Sequence, residues 1–382
     1  MLHRSLERVR VVLRHILASA KMSTEAGSAS EEVIFQTVGN KGVITLNRPS
    51  ALNALNLPMI RKMYPQMLTW EDSPEVSLVI IKGTGKKAFC AGGDVRALYD
   101  AGQVGDRLTQ DFFREEYMLN YKIGTYKKPY VAIIDGVTMG GGVGLSVHGK
   151  YRVATERSLF AMPETAIGLF TDVGGGYFLP RLEGKLGVYL ALTGFRLKGR
   201  DVYHAGVATH FVDADKLEAL EDSLLSLKST TDNDISKVLG TYHEQSTTGK
   251  GSEFVLEHHI DRINTLFAGE SLEEIFDRLN KDGSEWAMRQ LETLRKMSPT
   301  SMKVCLRQVL EGAKLSLEEC LKMDYRLAQR FMEDKDFFEG VRAVLVDKDN
   351  SPKWDPPSIE GVTKEKIDWY FSHLPPEQEL KL

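Results

Sequence analysis

The sequence predicts an α/β core over residues 32–215, followed by a helical region over residues 216–382 that packs on it. Three observations carry this. Short apolar, β-rich runs recur as far as about residue 215, each trailed by glycines and then by a helical pattern, the alternation of a layered α/β architecture. Beyond Asp215 the apolar residues fall at helical spacing. Between the two parts there is no Pro-rich linker, so nothing in the chain favours a detached helical domain.

Each element has its own signal. Val33-Ile34-Phe35 and Val43-Ile44-Thr45-Leu46 flank Gly39-Asn40-Lys41-Gly42, which reads as the turn of a hairpin. Asn56 is placed to cap a helix with Pro58 in its first turn. Ile60, Met63, Tyr64, Met67 and Leu68 then follow at the spacing of a core-facing stripe. The apolar runs from Val76 to Ile81 and from Tyr130 to Ile134 suit strands covered on both faces. Farther on, Leu291, Leu294 and Met297, then Val304, Leu306, Val309 and Leu310, mark helical faces. Residues 349–357 are irregular, and a short helix is expected over residues 364–371.

Composition narrows the function. Hydrophobic content of 42% and charged content of 27% are those of a globular chain that buries a core. A net charge of -4 argues against a nucleic-acid binder, which needs a basic face to offset phosphate. No run is long enough to span a bilayer, so no membrane partner is expected. Cys90, Cys305 and Cys320 lack paired spacing and the histidines lack metal spacing, so neither a metal nor a cofactor is expected. The first residues differ from the rest: Arg4, Arg8, Arg10, Arg14 and Lys21 are opposed by Glu7 alone and flank an apolar stripe. That is the pattern of a mitochondrial transit peptide, with Ser23 to Ser30 as a flexible joint, so residues 1–31 are set apart and the matrix is the expected address. The terminal Leu380-Lys381-Leu382 departs from the Ser-Lys-Leu peroxisomal signal, which leaves the peroxisome as the lesser alternative.

Two glycine-bearing loops follow the buried strands: Ala88-Phe89-Cys90-Ala91-Gly92-Gly93-Asp94, and Gly136 to Gly144 with its Met139-Gly140-Gly141-Gly142 run. Neither is followed by Lys-Ser/Thr, neither has G-x-G-x-x-G spacing, and Gly144-Leu145-Ser146 is out of register for a nucleophile elbow. Ser146 and His148 read as packing residues. What remains is a backbone role. Glycines at a strand-to-helix turn let main-chain N–H groups approach a ligand, and two such loops supply an oxyanion hole. Tight helix packing explains the glycines equally well.

The motifs in series decide between the two. Leu46-Asn47-Arg48-Pro49 with Asn53-Ala54-Leu55, then Phe89 to Asp94, then Gly140-Gly141-Gly142, resemble the crotonase (enoyl-CoA hydratase/isomerase) superfamily. Phe160-Ala161-Met162-Pro163-Glu164, Leu192-Thr193-Gly194 and Ala205-Gly206-Val207-Ala208 continue the match in order. The resemblance implies a ββα spiral core, an acyl-CoA substrate, and an oxyanion hole made by the N–H groups of Gly93 and Gly141. The fold often trimerises, although the added helical region offers a cover for that surface, so a homo-oligomer is left open. Basic Lys86, Lys87 and Arg96 are candidates for coenzyme A contacts.

The acids distinguish the reaction. Hydratases of this superfamily carry a glutamate at the end of the second glycine run, where this chain has Gly144. Glu164 matches the other glutamate, and Asp172 follows in Asp172-Val173-Gly174-Gly175-Gly176. That exchange resembles a branch that hydrolyses a short branched 3-hydroxyacyl-CoA thioester of valine breakdown. The segments Phe112 to Asn120, Met297 to Ser301 and Phe338 to Ala343 extend the match to about residue 355. The resemblance implies catalytic roles for Glu164 and Asp172 and substrate contacts from Glu116, Gly141, Glu164 and Asp172. Read alone, Glu164 is more readily a first-turn helix residue, and Asp172 a cap, than either is a catalytic acid. The rival functions are an enoyl-CoA hydratase or isomerase, and a non-catalytic subunit that keeps the fold.

Overall fold

The computed structural model describes residues 31–382, and the expected transit segment lies outside them apart from Glu31. Strands β1 (Val33–Val38) and β2 (Lys41–Leu46) pair antiparallel, with Val38 opposite Lys41. The hairpin turn is therefore Gly39-Asn40 alone, with Gly39 at φ 59°. Lys41 and Gly42, expected in that turn, open β2 instead. Gly42 lies under Trp70, where a Cβ would come within 2.6 Å of the indole, so this glycine serves helix-on-sheet packing. Trp70 belongs to the Leu57–Asp72 helix, whose first turn is capped by Asn56 accepting the Met59 N–H at 2.9 Å.

The chain then alternates between two sheets. β3 (Leu78–Gly83), β5 (Tyr130–Ile134), β7 (Tyr151–Ala154) and β10 (His210–Phe211) join β1 and β2 in a six-stranded sheet of order β1-β2-β3-β5-β7-β10. β4 (Ala88–Cys90), β6 (Val137–Met139), β8 (Leu159–Ala161) and β9 (Leu197–Lys198) form a second, in that order. From β3 to β8 each large-sheet strand is followed by a small-sheet strand and then by helix, so each winding ends in a strand-to-helix turn at one edge. Among the described residues no strand follows β10.

The unbroken apolar strands are explained by cover on both faces. Val79 and Ile81 point into the main core, whereas Leu78 and Ile80 meet Leu220, Leu224, Ile235 and Leu239 from later helices. The strand expected from Val76 begins at Leu78, because Val76 still belongs to the preceding turn, donating to Ser73 O at 3.3 Å. Val33–Leu382 make one compact unit. Within it the Pro299–Gly312 and Leu317–Glu333 helices lie against the glycine turn Gly174-Gly175-Gly176. The Lys364–Phe371 helix closes the fold where the sequence places it.

Candidate active site

The first glycine loop is held by the segment before it. The Leu55 N–H donates to Gly92 O and the Asp94 N–H to Leu55 O, both at 2.8 Å, and the Ala91 N–H donates to Leu52 O at 3.1 Å. Leu52 and Asn53 reach this pairing through left-handed backbone, φ 52° and 55°. Buried Asn53 fixes the bend by accepting the Arg48 N–H at 2.9 Å and donating to Ala88 O at 2.9 Å. The Arg48 guanidinium meets Asp94, the cap of the Val95–Gln103 helix, at 3.1 Å. The Asn-Arg-Pro…Asn-Ala-Leu motif is thus the brace of the Gly92-Gly93 loop.

The second run turns at Gly140, φ 44°, and opens the helical turn Gly141–Gly144. It presses on the first loop: a Cβ on Gly142 would lie 2.2 Å from Cys90 O, and one on Gly141 would lie 3.3 Å from the Gly93 nitrogen. The two glycines Gly93 and Gly141 are brought together, and neither N–H is taken by an acceptor among the described residues. Only glycine allows this approach.

Gly93, Glu116, Gly141, Glu164 and Asp172 all line one cavity of about 110 Å³. Glu164 is the first residue of a short 3-10 turn, Glu164–Ile167, and its Oε1 lies 3.2 Å from where a Gly140 Cβ would stand. Glu116 projects from the Leu108–Gly124 helix to within 2.5 Å of the corresponding point on Gly141. Its neighbour Glu115 pairs with Arg61 at the surface at 2.6 Å. The remaining lining is apolar, with Val95, Leu98, Phe112, Phe113, Ile167 and Leu169.

The lining contains carboxyl groups and no Lys, Arg or His. Burial pushes Asp172 up to about 7, and the Tyr117 hydroxyl, donating to Oδ2 at 3.0 Å, draws it partway back. Burial and then the Asp172 charge lift Glu116 and Glu164 well above the usual carboxylate range. One Glu116 and one Glu164 oxygen are buried without a hydrogen-bond partner. A set of adjacent buried carboxyls cannot all ionise, so it holds an acid and a base together. Among the described residues no group is arranged to bind a metal.

Gly144 has no room for a side chain. A Cβ there would lie 2.7 Å from both Asn120 Nδ2 and Val173 Cβ. Ser146 donates to Gly142 O at 3.0 Å, and half-buried His148, its imidazole pushed down to about 4 by desolvation, donates from Nε2 to Val173 O at 2.7 Å. Both are packing residues. Lys86, Lys87 and Arg96 are exposed and do not line the cavity. Sequence reasoning missed Tyr117, and it missed Gln308 and Asp324, which sit beneath Asp172. The signal was present: both fall in otherwise apolar helical stripes, Val304-Cys305-Gln308-Val309 and Cys320-Leu321-Asp324-Ala328.

The chain is similar to known proteins over nearly its whole length. The family model "Enoyl-CoA hydratase/isomerase" matches residues 41–371. A Xenopus laevis protein named 3-hydroxyisobutyryl-CoA hydrolase, mitochondrial, is 59% identical over 375 residues, covering 98% of this chain and 96% of its own. Crystal structures of an enoyl-CoA hydratase from Rhodobacter sphaeroides and a carnitinyl-CoA dehydratase from Mycobacterium thermoresistibile are also similar. The first has TM-score 0.82 and 36% identity, covering 92% of this chain and 100% of that one. The second has 0.84 and 34%, covering 92% and 99%.

Proposed function

Because the chain belongs to the enoyl-CoA hydratase/isomerase family, we propose that it hydrolyses the thioester of 3-hydroxyisobutyryl-CoA to 3-hydroxyisobutyrate and coenzyme A. The observation that carries this is the pairing of Glu164 with Asp172, rather than with an acid at Gly144, beside two unclaimed N–H donors. The name of the Xenopus relative supplies the substrate, and the small cavity suits a short acyl group. Mitochondrial import fits that relative's name and the basic N-terminal segment.

The thioester oxygen accepts the Gly93 and Gly141 N–H groups. Glu164, ionised while Asp172 holds the proton of the set, takes a proton from water while the water oxygen bonds to the carbonyl carbon, and the π electrons move to the held oxygen. As the carbonyl re-forms, the C–S bond breaks, and the thiolate receives a proton from the protonated member of the acid set. Asp172 positions the water and shares that proton. Each donor contributes about 3–4 kcal/mol to the charged state. Direct attack by Glu164 through a mixed anhydride uses the same atoms, and label entering Glu164 in a single turnover in ¹⁸O-water identifies that route where water opens the anhydride at the glutamyl carbon.

The test is thiol release from a panel of short acyl-CoAs with wild type, Glu164→Gln and Asp172→Asn. The reading requires the 3-hydroxy substrate to be preferred and kcat to collapse in both variants. Hydration of crotonyl-CoA by wild type would favour the hydratase instead. Full activity in Glu164→Gln would move the acid elsewhere.

A further inference from the structure

The turn that presents Asp172 is held by residues from the C-terminal helices. Val173 lies at φ 51° and Gly174 at φ 80°. A β-branched residue seldom adopts that left-handed backbone, so the surroundings must impose it. His148 Nε2 donates to Val173 O at 2.7 Å, Asp324 Oδ2 accepts the Gly174 N–H at 2.8 Å, and Gln308 Nε2 donates to Thr171 O at 2.9 Å. Gln308 also donates to Asp324 Oδ1 at 2.6 Å and accepts from the Thr171 hydroxyl at 3.1 Å. The backbone is thus tied immediately before and immediately after Asp172.

Gln308 lies on the Pro299–Gly312 helix, Asp324 on the Leu317–Glu333 helix, and both are fully buried. The helix meets the turn at backbone distance, since a Cβ on Gly312 would lie 2.1 Å from Gly176 O. Packing alone does not call for this pair. An apolar pair of the same size would join the helices without burying a carboxylate near Asp172. Only a carboxylate offers separate oxygens to the Gly174 N–H and to the Gln308 amide.

We propose that Asp324 and Gln308 are positioning residues, whose side-chain bridge fixes the 171–174 backbone so that the Asp172 carboxyl is held in the cavity that Gly93 and Gly141 also line. The proposal rests on the acid-pair reading given above, and a double-mutant cycle separates the two.

Asp324→Asn and Gln308→Met are each measured in the wild-type and Asp172→Asn backgrounds. The readouts are kcat and KM for 3-hydroxyisobutyryl-CoA by thiol release, with thermal midpoints alongside. Gln308→Met leaves Asp324 on Gly174 and serves should Asp324→Asn not fold. Misplacing the acid lowers kcat on the order of 10- to 100-fold while KM stays within about twofold. In the Asp172→Asn background the further loss shrinks to less than about twofold, because the misplaced group is already gone. Equal fold losses in both backgrounds, or unchanged kcat in both variants, overturn the bridge while the acid pair stands. Wild-type kcat in Asp172→Asn alone overturns the acid pair, and the bridge with it.

Discussion

Asp172→Asn should make the protein more stable at alkaline pH even as it removes activity. In the folded protein burial holds this carboxyl near 7 rather than its ordinary 3.8. Below about pH 4 both folded and unfolded chains carry the proton, and the group is neutral in its effect on stability. Between there and about 7 the folded state binds more protons than the unfolded one, so stability falls as pH rises. Above about 7 the full cost is in place. A difference of about 3 pH units at 1.36 kcal/mol each gives about 4 kcal/mol. Asparagine keeps an oxygen to accept the Tyr117 hydroxyl bond and removes the buried charge. Urea unfolding across about pH 4 to 8 should show a variant that exceeds wild type by up to about 4 kcal/mol at the alkaline end, with the gap closing as pH falls. Parallel profiles for the two proteins would refute the burial argument.

Three further outcomes follow from the same geometry. Gly141→Ala places a methyl 2.5 Å from Glu116 Oε1 and 3.3 Å from the Gly93 nitrogen, and kcat in the thiol-release assay should fall on the order of 100- to 1000-fold. Tyr117→Phe removes the hydrogen bond that draws Asp172 down, so the limb of kcat/KM against pH that reports Asp172 should move to higher pH. Gly144→Ala forces a Cβ against Asn120 and Val173, and chemical denaturation should show a loss of about 1–3 kcal/mol.

Much of this was legible in the chain because it was periodic or motif-bound. The helix after Asn56 and the doubly covered strands are local patterns, and they fall close to where spacing puts them. The hairpin turn was misjudged over Lys41 and Gly42 because the reason for Gly42 is Trp70, which lies 28 residues away. The candidate acids were readable only through resemblance, since neither spacing nor composition brings Glu116, Glu164 and Asp172 to one cavity. Only the two-sheet winding does that. Gln308 and Asp324 are the most instructive omissions. A polar residue inside an apolar helical stripe signals a buried partner, but its identity depends on which turn the helix lands on.

The acid-lined chamber has a consequence for what happens after the bond breaks. An uncharged acyl group enters, and a carboxylate must leave past Glu116, Glu164 and Asp172 with no cation to detain it. Two like charges about 4 Å apart repel by about 4 kcal/mol where the effective dielectric constant is near 20. The product is therefore least welcome at the spot where it is made. Its departure is favoured, and its return opposed, by whichever of these acids is ionised.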